Sequence, residues 1–213
     1  MEATDLTGCY ARALYLPQAP SGAERPAMVQ PRFDPSGSVK FDLGRGQVTV
    51  DGSSDRVLVP VDALLTLCTS AGEAALRDFG RRLGGEAGQR ARSRIGSADK
   101  AGIEAVVEHL GGDLALMGLG SLGVERWGRA LVMTVDGSPL GAGGDPLLAA
   151  IVEGALQRAF GREASVVVLA REVTRVRLLV TSAAGADKAR QFLAGGSSWG
   201  DVLTRLHEPG GRA

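Results

Sequence analysis

The chain has 213 residues, 44% hydrophobic and 23% charged, which suits the core of one globular domain rather than two full ones. Twenty-four basic residues balance twenty-four acidic ones, which argues against a nucleic-acid binder that works through broad electrostatic attraction and leaves room only for a local basic patch. Two cysteines, Cys9 and Cys68, are too few and too far apart for a disulfide framework or a zinc cluster, and no apolar run approaches the roughly 18 residues of a membrane span.

The opening Met1-Glu2-Ala3-Thr4-Asp5 is acidic and lacks the basic and apolar regions of a signal peptide, so a cytoplasmic protein is expected. Residues 1–35 read as a poorly ordered arm, with Pro17, Pro20, Pro26, Pro31 and Pro35 among small and polar neighbours. Its apolar cluster from Tyr10 to Leu16, with Tyr15 a candidate interface residue, reads either as a strand docked on the body or as a partner-binding peptide. Residues 36–59 predict an antiparallel meander. Val39, Phe41 and Leu43 alternate with Lys40 and Asp42, then come Val48, Val50 and Val57-Leu58-Val59, with Gly44-Arg45-Gly46 and Asp51-Gly52 as turns. Pro60 opens a helix whose apolar face runs through Leu64, Cys68, Leu76 and Leu83. Gly84-Gly85 is expected to break it. A second helix follows over Glu86–Ile95 with Arg90, Arg92 and Arg94 outward, and Ser97 is expected to cap a third over 98–110, stopped by Gly111-Gly112.

Strands are predicted at Leu114–Leu119 and Ala130–Val135. Asp145-Pro146 announces a helix over Leu147–Phe160, followed by strands at Ser165–Ala170 and Val173–Thr181 and short helices at Ala186–Leu193 and Trp199–Leu206. Runs of strands and helices without strict alternation indicate an α+β fold: an antiparallel sheet packed by helices on one face, with an N-terminal strand meander. The layout expected is an arm (1–35), a meander (36–59), a main domain (60–183) and closing short helices (184–213).

Most chemistries can be struck out on spacing. Gly118 to Gly123 has the spacing of a dinucleotide fingerprint, but it is placed between two strands and opens no helix. His109 and His207 have no second ligand at metal spacing, and His109 is explained by the dipole at a helix C-terminus. No Gly-x-Ser-x-Gly occurs. Glu73, Glu104 and Glu153 fall in helices where solvated charge is the default, so an enzyme built from glutamates and arginines is carried only as an alternative to a non-catalytic chain. Arg77, Arg81, Arg82, Arg90, Arg92 and Arg94 form either a basic strip for phosphate or an acidic partner, or a solvated helix face. Trp127 reads as an interface anchor, a pocket wall or a core residue. Cys68 reads as a small buried hydrophobe, with a ligand contact as the alternative.

Some longer stretches are more specific. They are the helix Ala71–Leu83, the segment Val106–Leu114, the turn Asp136-Gly137-Ser138-Pro139-Leu140, the helix Ala149–Arg162 with its closing Gly-Arg, and the paired strands Val166–Leu169 and Arg175–Val180. On these the chain from Leu58 to Val180 resembles the 4-vinyl reductase, or hydrocarbon-binding, domain, related in fold to Bet3-like subunits of the transport protein particle tethering complex. The resemblance implies a domain that binds small apolar ligands or other proteins and regulates. Members that hold a metal use cysteines before the central helix and in the closing hairpin. Here those places read Gly143-Gly144-Asp145-Pro146-Leu147 and Ala170 to Val176, so no metal and no cofactor are expected.

Two functions follow as expectations. The first is a non-catalytic cytoplasmic interaction or scaffold module of a regulatory or tethering assembly, with a protein partner or a homodimer and with Arg81, Arg90, Arg94 and Tyr15 at interfaces. The second is a sensor that binds a small hydrophobic ligand between helices and sheet, with Cys68, Met117, Trp127 and Met133 lining the pocket.

Overall fold

Two antiparallel sheets and six helices make up the described residues, 38–96 and 98–207, of the computed structural model. Tyr15, the arm over 1–35 and the cap at Ser97 lie outside them.

The first sheet is the expected meander: β1 (Val39–Asp42), β2 (Gln47–Val50) and β3 (Ser53–Arg56), in that order. Asp51 and Gly52 both have positive φ (50° and 82°), as a two-residue hairpin turn requires. That turn sets the register, with Val50 opposite Ser53, and the short β2 gives β3 no partner beyond Arg56. The third strand therefore precedes Val57-Leu58-Val59, which are exposed.

Helix α1 (Val61–Ala71) follows Pro60 as expected. The break then falls at Gly72 (φ 88°), not at Gly84-Gly85, and α2 runs unbroken from Glu73 to Ile95. The misplaced glycines have a packing role. Gly80, Gly84 and Gly88, spaced four apart, turn one bare strip toward α4 (Asp145–Phe160). A methyl at Gly80 would come within 2.7 Å of Ala150 Cβ, and methyls at Gly84 and Gly88 would overlap the carbonyl oxygens of Ile151 and Ala155. Gly154 of α4 reciprocates against the Arg81 carbonyl. The two helices thus touch backbone to backbone.

Helix α3 (Ala98–Leu116), bent at Gly102, also passes its expected stop at Gly111-Gly112. It ends where Gly118 takes a left-handed conformation (φ 71°) and the Leu119 amide donates to the Leu114 carbonyl. The strand expected over Leu114–Leu119 is therefore the last helical turn and the connection after it. His109 accordingly sits in mid-helix, buried, not at a C-terminus.

The main sheet has the order β4-β5-β7-β6, every pair antiparallel: β4 (Ser121–Trp127), β5 (Ala130–Asp136), β6 (Ser165–Arg171) and β7 (Arg175–Thr181). Strand alternation divides its side chains in two. Leu131, Met133, Val135, Val166, Val176, Leu178 and Val180 face the principal core with Leu110, Leu114, Leu148 and Ile151 of the helical layer. Ala130, Val132, Val167, Leu169 and Leu179 face the other way. The α+β class with helices packed on the sheet is as expected, and the closing helices α5 (Ala183–Ala194) and α6 (Trp199–His207) add a second layer over that opposite face. This double cover explains why β5 and β7 read as nearly continuous apolar runs.

Candidate functional site

Helix α4 is buried nearly all round and carries two buried carboxylates, Asp145 at its start and, in mid-helix, Glu153 with 6% of its surface exposed. It is not the solvated helix charge expected. Both oxygens are paired: Oε1 accepts from Arg81 Nε at 2.7 Å, and Oε2 accepts from the Val166 amide at 2.9 Å. A buried carboxylate is tolerated only with such compensation. Among the described strands β6 is an edge of the sheet, and its Val166 amide, instead of bonding to a strand, is capped by Glu153.

A cleft of about 290 Å³ opens at this place, between α2, α4 and β6, with α5 closing its far side. Its floor is apolar, formed by Ala149 and Ala150 of α4 and Val166, Val167 and Val168 of β6, with Leu193 of α5 beside them. Its rim carries Arg77, Arg81 and Arg190. Arg81 is committed to Glu153. Arg77 meets Glu73 at 3.0 Å and Arg190 meets Asp187 at 2.9 Å, both exposed pairs within one helical turn and therefore weak. At the N-terminal end of α4, Arg171 holds Asp145 through Nε at 2.9 Å from both carboxylate oxygens, fixing the helix start to the end of β6. The bonding to Asp145 raises the Arg171 guanidinium further above its usual range. The cleft thus combines an apolar floor, a rigid frame and two loosely held guanidinium groups.

The pocket residues singled out in the sequence fall in two places. Cys68 of α1 and Met133 of β5 are buried in the principal core, and Met117, after α3, packs half-buried against the same core. None of the three lines the cleft. Trp127 stands apart at the end of β4, 46% exposed, with its ring edge-on to Trp199 at 4.9 Å. Its Nε1 donates to Glu125 at 3.0 Å, and the Arg177 guanidinium lies 5.0 Å over the Trp199 ring. Donation from Trp127, helped by Arg177, holds the Glu125 carboxyl below the usual range. A second, wider cleft of about 670 Å³ lies beside Trp127, Arg129, Leu203 and His207.

The arginine run also divides. Arg81 reaches the first cleft, and Arg82 pairs along the helix with Asp78 at 2.9 Å. Arg90 and Arg94 are not outward. They turn in toward Asp113 of α3, at 3.4 and 3.3 Å, and toward Asp51 in the meander turn, so this group ties the first sheet to the helices. Asp113 is 1% exposed, and burial pushes its carboxyl up against the opposing pull of both arginines.

No family model matches the sequence, and no curated protein matches it either. Among solved structures, the fold is similar to that of the phenol-responsive sensory domain of the transcription activator PoxR, determined with phenol. The TM-score is 0.51 at 15% identity, covering 81% of this chain and 92% of that one. The two chains share a fold.

Sequence reasoning missed Glu153 and Asp113. The signal for Glu153 was present, since Ala149 to Leu156 is apolar on every side of the helix except at this residue, and a helix apolar all round is a buried one. For Asp113 the signal was lost once Gly111-Gly112 had been taken as a stop. Among the described residues no three His, Cys, Asp or Glu side chains converge as metal ligands, and no helix is long and apolar enough to cross a membrane.

Proposed function

We propose that this chain is a regulatory sensor domain of the 4-vinyl reductase type that binds a small apolar molecule in the cleft between α2, α4 and β6. The observation that carries this reading is the fold shared with a phenol-responsive sensory domain. It favours the sensor over the scaffold that ranked first on sequence. The cleft supports it further. The cleft lies between helices and sheet, its floor is hydrocarbon, and its volume is near the lower end for small-ligand sites. Its placement supplies a readout, because a ligand touching Leu193 would tie α5 to the α2–α4 pair. Only a ligand with different affinity for two arrangements of those elements can shift them. The domain is non-catalytic in this reading.

Native mass spectrometry and thermal shift of the full chain against phenol, toluene, benzyl alcohol and benzoate test the proposal. At least one probe should bind, and Leu193→Trp, which narrows the cleft, should abolish that binding. Silence across the panel, or binding that ignores the substitution, would overturn it.

A protein-contact role rests on one other observation: Phe41, Leu43, Val57, Leu58 and Leu67 are large apolar side chains left exposed. If they form an interface, whether in a homodimer or with another protein, Leu43→Lys with Leu58→Lys should lower the mass seen by light scattering at high concentration.

A further inference from the structure

The geometry points to a ligand class: the sheet-edge cleft is selective for small amphipathic anions, such as an ionised aromatic carboxylic acid, seated with its carboxylate between Arg77 and Arg190. This inference rests on the cleft being the ligand site and goes beyond it in naming the charge the ligand carries.

A neutral guest gains nothing from the rim. An apolar molecule covering the floor would displace water from two guanidinium groups without replacing their hydrogen bonds. A carboxylate replaces them, because guanidinium donors match its two oxygens in a bidentate, charge-assisted pair. Both groups can turn to it at small cost. Arg77 is 43% and Arg190 42% exposed, and among the described residues each pairs with an acid of its own helix. Arg81 is different. It and the Val166 amide neutralise Glu153, so the buried carboxylate does not oppose an incoming anion as an unpaired charge would. Of the remaining charges, Asp187 lies outside the cleft, and Glu73 lines it beside Arg77, 76% exposed. Three arginines against two glutamates leave the lining with one excess positive charge. The floor then rejects the simplest anions, since inorganic phosphate would leave Ala149, Ala150 and Val166 to Val168 uncovered. An apolar body with one carboxylate satisfies both halves.

Calorimetry of the full chain at neutral pH separates this from the parent reading, using benzoate, its neutral counterparts benzamide and benzyl alcohol, and inorganic phosphate. Benzoate should bind at least about tenfold tighter than either neutral probe, a difference of about 1.4 kcal/mol, with phosphate silent. Arg77→Gln with Arg190→Gln should remove that preference, weakening benzoate at least about tenfold relative to benzyl alcohol. Glu73→Gln should tighten benzoate, and raised salt should weaken benzoate alone. If the neutral probes match or exceed benzoate, the anion preference is overturned and the small-ligand sensor stands. If phosphate matches benzoate, the apolar half of the inference fails. If no probe binds, both readings fall together.

Discussion

Glu153 shows how one side chain can hold a sheet edge and shape a site together. Glu153→Ala should cost about 2 kcal/mol in urea unfolding, because it strands the buried Val166 amide and removes a charged acceptor. The half-exposed Arg81 can turn to water and limits the loss. Two other carboxylates give pH signatures of opposite sign. Glu125 is held below its usual range by the Trp127 donor and Arg177, so its stabilisation is present at neutral pH and is lost as pH falls through the depressed value. Trp127→Phe should raise the Glu125 pKa in a carboxyl NMR titration, and its stability deficit should vanish in acid. Asp113 is shifted upward by burial, so the folded state takes its proton more readily than the unfolded chain does. Stability from this group therefore falls as pH rises through the raised value. Wild type should gain on Asp113→Asn as pH is lowered, measured as the difference between their urea midpoints.

At the scale of elements, the α2–α4 contact makes two adjacent glycines behave oppositely. Gly84→Ala drives a methyl into the Ile151 carbonyl and should cost about 3 kcal/mol, the upper part of the usual overpacking range. Gly85→Ala meets nothing within 4 Å in a helix interior and should stabilise by about 0.5–1 kcal/mol. Thermal melts of the pair decide it. The same contact explains where the sequence was legible. Helix α4 and strands β5, β6 and β7 stood out because long apolar runs with turn residues at their ends leave few alternatives. Gly84-Gly85 and Gly111-Gly112 misled because glycine ends helices and also lets backbones approach, and only the spacing of Gly80, Gly84 and Gly88 separates the two uses. Leu114–Leu119 misled because a short apolar run has no period that distinguishes a strand from a buried helical turn. The site was less legible than the fold. Arg81, Glu153 and Val166 come from three elements, and no local pattern says that they meet.

Across the whole molecule the elements are held by different forces. The main sheet is clamped between two apolar layers, whereas the four-residue strands of the meander are tied to α2 largely through Asp51 against Arg90 and Arg94 and through Arg56 against Glu86. Hydrogen exchange should therefore be slowest in β5, β7 and α4 and fastest in β1–β3. Raised salt should accelerate the meander and leave the sheet nearly unchanged, since screening weakens partly exposed ion pairs and spares buried hydrocarbon. Uniform exchange across both sheets would contradict this division.

The cap on β6 has a consequence for solubility. Ser165 to Ala170 is a six-residue segment without charge or proline, rich in valine and lying at a sheet edge, the kind of segment that recruits copies of itself into fibrils. The carboxylate on the Val166 amide occupies a donor that an incoming strand would need, and the rim arginines place like charges where a second copy would approach. One buried acid thus guards the chain against self-assembly in the folded state, and that guard is lifted whenever α4 draws away from the edge.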